Sequence, residues 1–141
     1  MLHRRRFLSA SLTVLAVPAL AQAPWPSKPI KVVEDHVASP TFAPALAART
    51  ADLVERGARG LFHIGGGTPI SWFDWAVKIF AAAGLKPPLK PTNEREFRTA
   101  ARRPKFSALS NAKMESLGVD PMPALEQAID LYLLARGRRK G

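Results

Sequence analysis

The sequence predicts an α/β domain, with α+β as the alternative, made of few short strands and several amphipathic helices. Two observations carry that expectation. Apolar residues recur at helical spacing within residues 41–56, 71–83 and 123–135. By contrast, the runs at 30–33 and 61–64 are short, apolar and bounded by charged residues or glycines, as strands are. Thirteen prolines against nine glycines add stiff connections between short elements.

Each element has its own signal. Ile30-Lys31-Val32-Val33 is β-branched and is stopped by Glu34-Asp35. Ser39-Pro40-Thr41 reads as a turn, with Thr41 capping a helix that runs to Arg56 and stops at Gly57. Its inward stripe is expected to be Ala43, Leu46, Ala47, Thr50, Leu53 and Val54. Leu61-Phe62-His63-Ile64 reads as a strand between Gly60 and Gly65-Gly66-Gly67. Ser71 and Asp74 have capping-box spacing for a helix that buries Phe73, Ala76, Val77 and Phe80 and ends at Gly84. A short strand is expected near residues 89–91. Ser110 caps a short helix closed by Gly118, and Pro123 suits the first turn of a last helix. Leu125, Ala128, Ile129, Tyr132 and Leu133 share one face of that helix.

Composition narrows the chemistry. With no cysteine, disulfides and thiolate metal sites are excluded. The formal charge is +10, of which Arg4, Arg5 and Arg6 supply three. The basic tail at 136–141 reads as a solvated chain end, so no nucleic-acid partner is expected. His3, His36 and His63 have no partner at metal-ligand spacing, and no metal site is expected. Gly65-Gly66-Gly67-Thr68 matches neither G-x-G-x-x-G nor the Walker loop and reads as a turn. No G-x-S-x-G serine is present, and Asp52/Glu55 and Glu94/Glu96 read as solvated surface, so no catalytic residue is assigned.

Residues 1–23 read as an export signal. His3-Arg4-Arg5-Arg6 is a positive start, an apolar stretch follows from Phe7 to Val17, and small residues at Ala19, Ala21 and Ala23 offer cleavage sites. The stretch is too short for a stable membrane span. Arg4-Arg5-Arg6-Phe7-Leu8 also fits a twin-arginine pattern, which implies a periplasmic or exported product. The junction at 24–33 carries Trp25-Pro26-Ser27-Lys28-Pro29-Ile30, which resembles the start of tripartite tricarboxylate transporter receptor proteins.

A longer ordered series resembles a different family. Val32-Val33-Glu34-Asp35-His36-Val37-Ala38-Ser39-Pro40-Thr41 is similar to the V-V-D-D-Q-x-G-S-P-T segment of dTDP-4-dehydrorhamnose reductases. Leu61-Phe62-His63-Ile64 and Ser71-Trp72-Phe73-Asp74-Trp75-Ala76 resemble that family's Y-H-L and S-W-Y-x-F-A stretches. Ala101-Arg102-Arg103-Pro104-Lys105-Phe106-Ser107-Ala108-Leu109 followed by Lys113 resembles its A-R-R-P-x-x-S-x-L-x-x-x-K signature. The resemblance implies the small substrate-binding lobe of an extended short-chain dehydrogenase/reductase over 34–135, with a nucleotide sugar as partner. It places Ser39, Pro40 and Thr41 on a loop facing the substrate and Arg103 and Ser107 near the diphosphate.

The resemblance also has departures. His36 stands for glutamine, Ala38 for glycine and Ala45 for aspartate. Tyr132 is the single tyrosine, and Arg136 rather than lysine lies four positions on, so the family's Tyr-x-x-x-Lys pair has no counterpart. NADPH is the cofactor of the intact family, and none is expected to bind this chain alone. The expectation is therefore a truncated or chimeric reductase-like chain that partners a missing Rossmann half. The alternatives are a non-catalytic exported binding module or a non-functional remnant. The resemblance to the reductases points to the cytoplasm, and the signal to export.

Overall fold

The computed structural model describes residues 26, 28–97, 100–101 and 103–137. The expected export signal and most of the basic tail fall outside them. The elements are β1 (Ile30–Val33), β2 (Val37–Ala38), α1 (Ala43–Glu55), β3 (Ile70–Ser71), α2 (Trp72–Ala82), β4 (Leu89–Thr92), α3 (Ala112–Glu115) and α4 (Leu125–Ala135). β1 and β4 pair in parallel, Ile30 opposite Leu89 and Val33 opposite Thr92. Pro91 has no N–H to give a ladder, which suits a strand in a two-stranded ribbon. β2 and β3 form a second, antiparallel pair. Val37 also bridges Phe106 in parallel, so residues 37–39 and 105–109 run side by side. Among the described residues, no helix is long and apolar enough to cross a membrane.

Two apolar clusters hold these elements together. Leu53, Met114 and Val119 are buried with Ala58, Phe62 and Ile64 packed on them, and Met114 has no exposed surface. Leu125, Ile129 and Leu133 line one side of α4 and pack against Ile70, Trp75, Ile79, Ala82 and Ala83. Leu125, Ile129 and Leu133 recur every four residues, the spacing that places side chains in one row of a helix. α2 thus packs on α4 with Trp75 and Ile79, and it also packs against β1.

Several local expectations are corrected. Thr41 does not cap α1. Its hydroxyl donates to the Ser39 carbonyl at 2.9 Å and accepts from the Gly66 N–H at 2.9 Å, leaving Phe42 at the N-cap and Pro44 in the first turn. The inward stripe of α1 is rotated: Ala45, Leu46, Arg49 and Asp52 are partly buried and Leu53 is buried, while Ala43, Ala47, Thr50 and Val54 are exposed. Arg49 turns inward because its guanidinium bonds Asp52 at 3.2 Å and the Pro121 carbonyl at 3.5 Å. Val77 is likewise exposed on α2, with Trp75 and Ile79 taking the inner face.

Leu61-Phe62-His63-Ile64 pairs with no strand among the described residues. Phe62 and Ile64 point to the first cluster, while Leu61 is 72% exposed, so the side chains alternate as a strand's do. The Leu61 carbonyl is bonded by the Lys113 ammonium at 2.6 Å, and that ammonium also sits 4.3 Å from the Phe62 ring centre. Further on, Asn111 stands at the N-cap of α3 without a side-chain cap bond, while Ser110 Oγ accepts from the Ala112 N–H at 3.4 Å, and α4 begins at Leu125, two residues after Pro123. The Ser71 cap is as expected: its hydroxyl accepts from the Asp74 N–H at 3.0 Å and donates to the Asp74 carboxylate at 2.7 Å.

Candidate functional site: a charged cleft at the strand ends

Parallel strands leave their C-terminal ends open on one side, and loops there converge on ligands in α/β folds. β1 and β4 do this. The Glu34 N–H bonds the Thr92 carbonyl at 2.9 Å, carrying the pairing one residue past β1. Asp35 and Glu94 then meet, the Glu94 N–H donating to Asp35 Oδ1 at 3.2 Å. The resulting cleft has a volume of about 450 Å³. Its walls are Lys31, Val32 and Val33 of β1, His36, Trp72 at the start of α2, and Glu94, Phe97 and Arg103.

Each polar wall residue is placed by local structure. The Ser71 cap begins α2 with Trp72, whose N–H bonds the His36 carbonyl at 3.2 Å and whose ring meets Trp75 edge-on at 5.6 Å. Lys31 points from β1 and approaches Glu96 at 3.6 Å. Arg103 is exposed, in the connection leading to the Val37–Phe106 bridge. His36 Nε2 lies 3.6 Å from Glu94 Oε2 and is buried without a hydrogen-bond partner. Burial works against ionisation of Asp35, but the Glu94 N–H and the Lys105 ammonium, 3.4 Å away, outweigh it and hold its carboxyl below the ordinary value.

The residues singled out from the sequence separate into different places. Arg103 lies on the charged cleft. Ser107 is next to β2, where its N–H and hydroxyl both donate to the Val37 carbonyl, at 2.9 and 3.3 Å. Ser39 Oγ accepts from the Leu109 N–H at 3.2 Å, tying the same two segments together. Pro40 and Thr41 line a second cleft of about 470 Å³, an apolar one between α2 and α4 that includes Phe42, Trp75, Ile79 and Tyr132. The hydroxyls of Ser39, Thr41 and Ser107 therefore already make bonds within the lobe.

The glycine run is structural. The Gly65 N–H donates to Asn111 Oδ1 at 2.9 Å while Asn111 Nδ2 returns a bond to the Gly65 carbonyl at 3.0 Å. The Gly66 N–H is taken by Thr41, and a Cβ on Gly66 would stand 1.9 Å from the Pro40 carbonyl oxygen. At Gly66 backbone meets backbone, and at Gly65 a Cβ would press on the side chains of Ser39 and Leu109. Sequence reasoning missed the wall formed by Lys31, Trp72, Glu94 and Phe97. The signal that could have found it was the pairing of the 30–33 run with the strand expected near 89–91.

The description "RmlD substrate binding domain" matches residues 17–136. The chain belongs to the RmlD substrate-binding-domain family. The match takes in residues 17–33, part of the stretch read from the sequence as export signal and junction. A dTDP-4-dehydrorhamnose reductase of Mycobacterium tuberculosis (strain ATCC 25618 / H37Rv) is 30% identical over 108 residues, which are 75% of this chain and 36% of that protein. The spore coat polysaccharide biosynthesis protein SpsK of Bacillus subtilis is 28% identical over 92 residues, 65% of this chain and 32% of that protein. Among solved structures, the dTDP-4-dehydrorhamnose reductase of Bacillus anthracis in complex with NADP superposes with a TM-score of 0.73 at 30% identity. That superposition covers 77% of this chain and 38% of the other. The family chain thus spans about a third of the length of these relatives.

Proposed function

We propose that this chain is the nucleotide-sugar-binding lobe of a dTDP-4-dehydrorhamnose reductase-like enzyme, and that the charged cleft receives the ligand. The observation that carries the reading is the joint placement of Arg103 and Lys31 with Trp72 and Phe97 on one cleft at the strand ends. Guanidinium and ammonium groups suit a diphosphate, the former through paired N–H donors. Flat aromatic rings suit a base. Arg103 and Ser107 lie on the diphosphate side in this reading, and Ser39, Pro40 and Thr41 form the adjoining loop toward the sugar.

The reduction belongs to the whole enzyme, with NADPH as its cofactor. Among the described residues, the glycine run and the tyrosine are engaged elsewhere: the Gly65 and Gly66 N–H groups are already bonded, and Tyr132 sits on α4 with Arg136 over its ring at 5.9 Å. We therefore assign this chain binding and orientation of the nucleotide sugar, and assign hydride transfer to a cofactor-binding half. Residues 61–64 support such a partner, since a segment with Phe62 and Ile64 on the core and no ladder among the described residues offers an edge for another strand.

A dTDP-sugar titration at physiological salt tests the reading. The chain should bind, an Arg103→Ala variant should bind about tenfold more weakly, and a chain ending at Ala135 should bind as well as the intact one. Attraction by the basic tail alone would fade with salt and survive Arg103→Ala. Equal binding by the intact chain and the Arg103 variant would defeat the proposal. Export of the chain is a separate proposal resting on residues 1–23. It expects cleavage after Ala21 or Ala23, and an intact Met1 on periplasmic protein, read by mass spectrometry, would count against it.

A further inference from the structure

Asp35 lies 59 positions from Glu94 in the sequence, and the parallel β1–β4 pairing brings it and His36 beside Glu94. One ligand atom from each lies within 4.8 Å of those of the other two. The triad is not a patch of surface acids, because one member is an imidazole in an unusual state. His36 Nε2 is buried and has no hydrogen-bond partner, and only 13% of the side-chain surface remains open. Glu94 Oε2 stands 3.6 Å from it, beyond hydrogen-bond range. Leaving a buried ring nitrogen unbonded has a free-energy cost that a ligand would remove.

We propose that Asp35, His36 and Glu94 bind a divalent transition-metal ion of the Zn²⁺ type. Imidazole with two carboxylates suits such an ion better than the all-oxygen set preferred by Mg²⁺ or Ca²⁺. Three protein ligands leave further positions open toward the cleft. The bond from the Glu94 N–H to Asp35 Oδ1 fixes the two chain segments relative to one another, as supporting hydrogen bonds do around metal ligands. The Lys105 ammonium, 3.4 Å from Asp35 Oδ2, is the cation that the metal must displace. His36 and Glu94 also line the cleft assigned to the nucleotide sugar, but the metal site needs no nucleotide to be tested.

Co²⁺ and Zn²⁺ titrations of the full chain provide the test, Co²⁺ by its visible absorption and Zn²⁺ by competition with a chromophoric chelator. The expected result is one equivalent of Co²⁺ with imidazole-ligated bands. His36→Ala and Glu94→Gln should each lose at least about tenfold in affinity, since losing even a supporting partner of a metal ligand costs about 10–100-fold. Lys105→Met keeps all three ligands and should bind several-fold more tightly, a gain that a damaged fold would not produce. Absence of Co²⁺ and Zn²⁺ binding would overturn the proposal. So would binding that His36→Ala leaves unchanged, or Lys105→Met binding no tighter than the parent chain.

Discussion

The two clefts have nearly the same volume, about 450 and 470 Å³, and opposite linings. The first collects Lys31, His36, Glu94 and Arg103 where strands end, and the second collects Trp75, Ile79, Leu125 and Ile129 where helices pack. α2 serves both, with Trp72 on the first and Trp75 on the second. The difference teaches that size does not identify a binding site here. Strand ends present charged groups and backbone to solvent, while the helical cleft is an extension of the core on α4. Changes in the apolar cleft should therefore cost stability, and changes in the charged cleft should cost binding.

The largest expected effect is on the apolar side. Ile129→Ala removes a buried side chain between α2 and α4 and should lower stability by about 2–5 kcal/mol in denaturant titration. A loss within a few tenths of a kcal/mol would mean that the second cluster is not a core. Gly66→Ala comes next. The new methyl meets the Pro40 carbonyl, so the 39–41 loop must shift, at about 1–3 kcal/mol. It should deform the cleft lined by Pro40 and Thr41 while leaving the charged cleft intact. Greater loss of dTDP-sugar binding than Arg103→Ala causes would show that the loop governs both.

Ser71→Ala removes the cap that starts α2 and should cost about 1 kcal/mol. Because Trp72 and Trp75 follow the cap directly, quenching of both indoles should change together; a change at one alone would separate the clefts. Arg103→Ala is exposed and should alter stability by less than about 0.5 kcal/mol while weakening the ligand, the reverse of Ile129→Ala. The smallest effect is electrostatic. Lys78 bonds Glu126 at 2.7 Å between α2 and α4 and holds its carboxyl below the ordinary value of 4.5. That stabilisation is complete above the ordinary value and is lost as pH falls through the folded one. Glu126→Gln should flatten this part of the acid limb of a thermal-melt series, and an unchanged acid limb would show the pair to be idle.

Much of the fold was legible from local signals. Ile30–Val33, the Ser71/Asp74 cap, the Gly57 stop and the Leu125/Ile129/Leu133 row follow from residue type and spacing alone, because each depends on neighbours within one turn or one strand. Thr41 shows the limit. Its sequence position suits a cap, but Gly66, 25 residues away, takes its hydroxyl. Val54, expected inward, is exposed, while Arg49 is partly buried with its guanidinium bonded to Asp52 and the Pro121 carbonyl. Residues 61–64 have the composition and alternation of a strand, yet strand character becomes a ladder only when another backbone lies alongside.

The same division runs through the site. The sequence by itself determined the family motifs, the charge of Arg103, the imidazole at His36 and the lack of a Tyr-x-x-x-Lys pair. Only the tertiary structure decided that Arg103 shares a cleft with Lys31 and Trp72, while Pro40 and Thr41 face an apolar one. It alone placed Glu94 against Asp35 and His36. The physical reason is that residue chemistry is carried by each position, whereas proximity across more than fifty residues is set by strand register. Pairing Val33 with Thr92 places the two following turns side by side, and a slip of that register would part them.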